Sequence, residues 1–362
     1  MAGGGGPQRR QARSAWPGPS AGTRRRPALT TVDGEAGSGT DSGERDMTTV
    51  GVDIGGTYIQ VVVLSGDDER LGSARMRTPL DGDRTNVLEV MDAAVNDAVG
   101  DAGLELGAID AVGVGTPGVV MDGTVGGASN VPGWEERFSL RTGLEQRLDR
   151  PVRVVNDVTA AARGEHRLGA GRGAQDLLVV SVGAGVGAGL ILGGEPYEGA
   201  FGGAGEFGHT VVHVGGAVCP CGRRGCVEAY AGRRAMENAV ERAIAAGTET
   251  IVPTIIEQKG RRRMTSGVVR DALAKGDPLV ADLVDGAVDA LGAGIASAVN
   301  LLDVERVVVG GGLADKLGSS FLHRVESAMR PSLFLVPAKV EVRGAELADE
   351  GGALGAALVA RD

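Results

Sequence analysis

The sequence predicts an α/β fold of two domains with a ligand cleft between them, and three observations carry that prediction. Short apolar runs rich in β-branched residues alternate with stretches of helical periodicity, the pattern of layered sheets and helices. Four of the runs end in a glycine cluster or an Asn-Asp turn, where such folds place ligands. The plan strand, glycine turn, strand also occurs twice, as "VGVDIGGTYIQVVVL" and, more than 120 residues later, as "VVSVGAGVGAGLIL". A duplicated domain with a cleft between the halves accounts for the repeat.

Residues 1–46 are rich in Gly, Pro, Arg and Ser and lack the apolar core of a secretory signal, so they are expected to be disordered. Met47 opens the first strand, 48–55, and a second follows at 59–65. A helical pattern over 86–101 leads to a strand at 109–115; a helix at 140–148 leads to a strand at 151–157. These elements form a small domain, 47–157. The large domain, 158–349, begins with a helix at 158–168 and continues with strands at 176–183 and 187–194. A long helix at 278–302 and a strand at 304–312 follow. The closing stretch "GGALGAALVARD", in 350–362, is expected to form a helix returning to the small domain, with Asn156 and Asp157 at the hinge.

Hydrophobic residues make up 42% of the 362 positions but aromatics only 3%, so Ala, Val, Leu and Ile must build the core. A net charge of −10 argues against broad nucleic-acid affinity, which needs a basic face. No run reaches the roughly 20 apolar residues of a membrane helix, and three cysteines without a secretory signal argue against a disulfide framework. A cytoplasmic protein is the expectation.

Asp53-Ile54-Gly55-Gly56-Thr57 follows a strand directly. Glycines there can turn amide N–H groups inward as a nest for phosphate oxygens, Thr57 adds a hydroxyl, and Asp53 can hold Mg²⁺. The turn at Gly183, Ala184 and Gly185 offers the same device, and Gly310, Gly311 and Gly312 cap a further strand where a nucleoside would lie. Neither a G-x-x-x-x-G-K-[ST] loop nor a strand–GxGxxG–helix arrangement is present, which removes P-loop and Rossmann readings. Asp157 stands at the start of a helix. Local pattern reads it as an N-cap; chemically it is a carboxylate placed to accept a proton from a substrate hydroxyl. "ASNVPGW" forms a polar loop that leaves Asn130 and Trp134 available, Asn130 suiting a vicinal diol.

Cys219, Cys221 and Cys226 form a compact C-x-C-x₄-C knuckle. Adding one imidazole completes a closed Cys₃His zinc set with no open position for catalysis. Spacing alone leaves both His209 and His213 eligible.

Taken together, "VGVDIGGT", "GVGTPG", "SNVPGW", "VVNDVTAAA", "VGAGVGAG", "GGAGEFGH", "CPCGRRGCVEAYAG", "VVVGGGL" and "GGALGAA" resemble the ROK family of sugar kinases and sugar-responsive repressors, in the family's order and from Met47 to the C-terminus. The resemblance implies a two-domain actin/hexokinase-like fold closing over sugar and ATP. It implies Asp157 as general base, and Asn130, Asn156, Asp157, Glu206, His209 and Glu228 as sugar contacts. It also implies structural zinc on His209, Cys219, Cys221 and Cys226, choosing His209 over His213. The loop and knuckle look most like bacterial ATP-dependent glucokinases, with N-acetylmannosamine kinases similar, and a homodimer or homotetramer is implied. A repressor of this family needs a helix-turn-helix, which residues 1–46, with prolines at 7, 17, 19 and 27, do not provide. An actin-like ATPase would leave "SNVPGW" and the cysteine knuckle unexplained.

Overall fold

The computed structural model describes residues 47–79, 83–128, 131–335 and 339–362. The tail 1–46, read above as disordered, and Asn130 lie outside the described residues.

In chain order the first half comprises β1 (Thr49–Ile54), β2 (Tyr58–Leu64), β3 (Arg70–Arg77), α1 (Arg84–Asp101) and β4 (Ala111–Thr116). The short strands β5 (Val119–Met121), β6 (Thr124–Gly126) and β7 (Phe138–Ser139) follow, then α2 (Leu140–Leu148), β8 (Val152–Asn156) and α3 (Asp157–Leu168). The second half begins with β9 (Leu177–Val182), β10 (Val186–Leu192) and β11 (Glu195–Pro196). After these come α4 (Glu228–Ala231), α5 (Arg233–Ala245), α6 (Val252–Gln258), α7 (Ser266–Ala274) and α8 (Pro278–Leu302). The chain closes with β12 (Arg306–Gly310), α9 (Ala314–Met329), β13 (Glu341–Gly344) and α10 (Gly351–Val359).

Two five-stranded sheets share one plan. The first runs β3-β2-β1-β4-β8, the second β11-β10-β9-β12-β13. In each, the opening strand pairs antiparallel with the hairpin strand after it and parallel with the strand on its other side. The repeated sequence plan is therefore a repeated sheet. β3 and β13 escape sequence reading because edge strands need no continuous apolar run: "RLGSARMR" carries three arginines and is largely exposed.

Two apolar cores lie on the outer sides of the sheets. One sets Val52, Ile54, Ile59 and Val61 against Val87, Met91 and Leu144; the other sets Val180, Val307 and Val309 against α8. Between the sheets lie α3 and α10. Every residue of α10 is buried, because its glycines and alanines let backbones touch. A Cβ at Gly113 would lie 1.8 Å from Ala356 O, and one at Gly355 would lie 1.7 Å from Ala160 O, so no larger residue fits at either contact. On its far side α3 meets the second sheet, where Val158 and Ala162 face Gly187 and Gly189 of β10. The helix that begins with Asp157 is thus wedged against both halves.

Candidate functional site

Asp53, one residue before the end of β1, pairs with Gly115 of β4. Gly115 brings two carboxylates together: a Cβ built there would lie 3.6 Å from Asp53 Oδ1 and 3.5 Å from Asp157 Cα. The first turn of α10 closes over Asp53, with Gly352 against its carboxylate. Burial at this junction, followed by the charges of Asp157 and Asp349, pushes Asp53 up to about 7. Because the folded value is raised, Asp53 favours the folded state below its unfolded pKa, and this contribution is lost as pH rises through about 7. Asp53→Asn is therefore expected to stabilise the protein by roughly 1–3 kcal/mol at pH 8 and by almost nothing at pH 4. Thermal melts at the two pH values check this.

The turn after Asp53 is held from behind. Thr78 donates its N–H to Thr57 O (3.1 Å) and its hydroxyl to Gly55 O (2.6 Å). In the second hairpin, Gly183 O and Ala184 O accept the N–H groups of Arg233 and Arg234 at the start of α5 (3.1 and 3.0 Å). Gly311 packs on the same hairpin: its φ is +91°, and a Cβ there would lie 2.7 Å from Val182 N. The structure thus joins the second and third glycine clusters in one corner of the second sheet, while the first belongs to the first sheet.

Asn156, rather than Asp157, is the N-cap of α3. Its Oδ1 accepts Val158 N–H (2.9 Å), and its Nδ2 donates to Gly118 O (3.2 Å). This corrects the local reading of Asp157: it is the first helical residue, and its Oδ1 accepts the N–H of Val158 (2.9 Å). Burial raises the Asp157 pKa to about 6 against these hydrogen bonds, with Glu206 adding repulsion. A second correction concerns Trp134. It is fully buried, donates Nε1–H to Thr116 Oγ1 (2.9 Å) and meets Phe138 edge-on at 4.8 Å. Its indole anchors the loop from within and is not available to a ligand.

Glu206, His209 and Glu228 connect this corner to the cysteines. A single 3₁₀ turn, Phe207–His209, places His209 Nε2 3.8 Å from Glu206 Oε2. On the other side of the ring, His209 Nδ1 lies 3.8 Å from Cys219 Sγ. Glu228 accepts the N–H of Val186 (2.9 Å) beside Gly185, and its other oxygen stands 4.0 Å from Cys219 Sγ. Cys221 Sγ and Cys226 Sγ are 3.8 Å apart, and the donor atoms of His209, Cys219, Cys221 and Cys226 all lie within 4.8 Å of one another. Tetrahedral thiolate ligands at about 2.3 Å from zinc stand about 3.8 Å apart, so the donor set fits that ion. Burial pushes the Cys219 thiol up to about 12. His213 stands apart from this group, its Nδ1 3.3 Å from the Tyr230 hydroxyl. Gly225 closes the knuckle at φ +78°, where a Cβ would lie 1.7 Å from His213 O.

Two groups at the site were not read from sequence. Asp349 adds a third carboxylate near Asp53, and Arg75 reaches it at 3.4 Å. Asp349 lies in an unpatterned turn before α10 and Arg75 on the edge strand, so neither had a local signal.

The model of the ROK family matches residues 49–362. A glucokinase of Streptomyces coelicolor is 33% identical over 324 residues, 87% of this chain and 98% of its own. A putative xylose repressor of Caldicellulosiruptor is 30% identical over 309 residues, 84% of this chain and 76% of the repressor. Among solved structures, a ROK family glucokinase from Streptomyces griseus, in complex with glucose and AMPPNP, superposes with a TM-score of 0.72 at 34% identity, covering 87% of this chain and 99% of that one. The fold is the two-domain hexokinase-like fold of those enzymes, and no helix among the described residues is long and apolar enough to cross a membrane. With a match spanning both sheets and the cysteine knuckle, the chain belongs to the ROK family.

Proposed function

We propose that the chain is an ATP-dependent sugar kinase that transfers the γ-phosphoryl group to the 6-hydroxyl of glucose. The observation that carries the reading is that Asp157, at the start of the helix wedged between the sheets, is buried within electrostatic reach of Glu206, which His209 joins to the corner of Cys219 and Glu228. Glucokinase relatives at 33 and 34% identity support the same substrate class.

In this reading the glycine turns at 55–57 and 183–185 hold the phosphates, and Gly310–Gly312 flank the nucleoside. Asn130, Asn156, Glu206, His209 and Glu228 bind sugar hydroxyls, with the carboxylates accepting from O–H groups. Asp157 takes the proton from O6–H as that oxygen attacks the γ-phosphorus; the bond from phosphorus to the β–γ bridging oxygen breaks, and its electron pair leaves with ADP. A base near 6 is ionised at neutral pH yet basic enough to share the proton in the transition state. Mg²⁺, with Asp53 as its protein-side oxygen donor, would neutralise phosphate charge. Zinc on His209, Cys219, Cys221 and Cys226 would supply structural cross-linking. Fixing His209 through Nδ1 leaves Nε2 for Glu206 and the sugar.

A coupled ADP-release assay across glucose, mannose and N-acetylmannosamine tests the substrate. The highest kcat/KM is expected with glucose; a preference for N-acetylmannosamine would replace it as substrate. Sugar-sensitive DNA binding without ADP release would overturn the kinase reading.

A further inference from the structure

The proposed transfer centre is heavily acidic. Asp157 and Asp349 repel Asp53, and Glu206 repels Asp157, yet a nucleotide triphosphate is itself strongly anionic. Positive charge is needed where the terminal phosphates would sit, and none of the residues assigned to phosphate binding above is basic.

The register of the first sheet identifies where such charge is available. Asp53 stands opposite Gln60, and Gln60 opposite Arg75, so the three residues form a row across β1, β2 and β3 on one face. One pair nearer the glycine turn, Tyr58 stands opposite Arg77, on that same face by the two-residue period. The Arg75 guanidinium lies 4.2 Å from the Tyr58 ring centroid and that of Arg77 5.6 Å, contacts that steady both groups over the ring. Tyr58 directly follows Thr57 of the turn. Thr78, directly after Arg77, donates to the carbonyls of both Gly55 and Thr57, and Tyr58 O accepts the N–H of Gly55. The two arginines are exposed and tied to the first turn from both strands.

We infer that Arg77 and Arg75 bind the terminal phosphates of the nucleotide at the Gly55–Thr57 turn, with Tyr58 as the platform that orients them. Arg75, paired at 3.4 Å with Asp349, also screens that carboxylate from the incoming charge. The inference rests on the kinase reading for the identity of the ligand. An edge strand merely kept soluble by charge would require no dependence of nucleotide affinity on either side chain.

Calorimetric titration of the full chain with a non-hydrolysable ATP analogue and with AMP separates the two. Arg77→Ala and Arg75→Ala are expected to weaken the analogue about 10–100-fold, the range of a charge-assisted hydrogen bond or two. AMP and glucose affinities should stay within twofold. Arg77→Lys should recover part of the loss, because it restores the charge but not the two-pronged geometry. If the ratio of analogue to AMP affinity stays within twofold of wild type in both alanine variants, the assignment is overturned. Sugar-dependent ADP release by the wild-type chain is measured in parallel. Its absence alongside an arginine-dependent ratio would sink the kinase reading and leave the phosphate site standing.

Discussion

Asp157→Asn is expected to lower kcat by about 10²–10⁴-fold, the usual worth of a positioned general base, while glucose affinity changes only a few-fold. The amide keeps the size and the helix-terminal position of the carboxylate. Its oxygen can still accept the N–H of Val158, which Asp157 Oδ1 accepts at 2.9 Å, so the end of α3 should hold. What is lost is the ability to take the O6 proton. The pH profile supplies an independent sign. In the proposed role the base works ionised, and burial raises Asp157 to about 6, so kcat/KM for the wild type should climb through pH 6 and level off above pH 7. The asparagine variant should show no such limb. A wild-type profile flat from pH 5 to 8, or a variant retaining a tenth of wild-type turnover, would remove Asp157 from this role.

The second large effect is expected at the knuckle. Cys226 is fully buried and its Sγ lies 3.8 Å from that of Cys221. Cys226→Ser removes a thiolate from a closed donor set, and metal affinity should collapse with it. His209 then loses its anchor at Nδ1, and Glu228, beside Cys219, loses a fixed neighbour. Glucose affinity should fall at least tenfold, with the melting temperature down by several degrees. Nucleotide affinity should fall less, because Thr78 holds the turn at 55–57 and Arg233 and Arg234 hold the carbonyls of Gly183 and Ala184, leaving only Val186, beside Gly185, dependent on Glu228. Metal analysis that finds no zinc in the wild type, or a serine variant that binds glucose normally, would contradict this account.

Most of the fold was legible because its central strands are buried on both faces and read as unbroken apolar runs, "TVGVDI" and "LLVVSV" among them. The duplicated hairpin was legible for the same reason, since each copy needs a glycine turn between two such runs. Edge strands gave no such signal: β3 mixes three arginines with Leu, Gly, Ser, Ala and Met, and β13 is four residues long. At the site, carboxylates standing at strand ends could be picked out one by one. Their mutual repulsion could not, because Asp349 reaches Asp53 only through the packing of α10. Trp134 was misread for a related reason. Beside Pro132 and Gly133 an indole looks like loop, yet its N–H finds Thr116 at the end of β4, a partner eighteen residues away. Asn156 and Asp157 show the finest limit: both suit a helix start, and only backbone geometry decides which one caps it.

In the proposed reaction a sugar hydroxyl, deprotonated at Asp157, receives the γ-phosphoryl group. Phosphorus NMR of the purified chain incubated with MgATP and glucose tests it most directly. Glucose 6-phosphate is expected to appear in step with ADP, with no such signal over the same period from Asp157→Asn. ADP accumulating with inorganic phosphate alone, or no turnover with any hexose supplied, would contradict it.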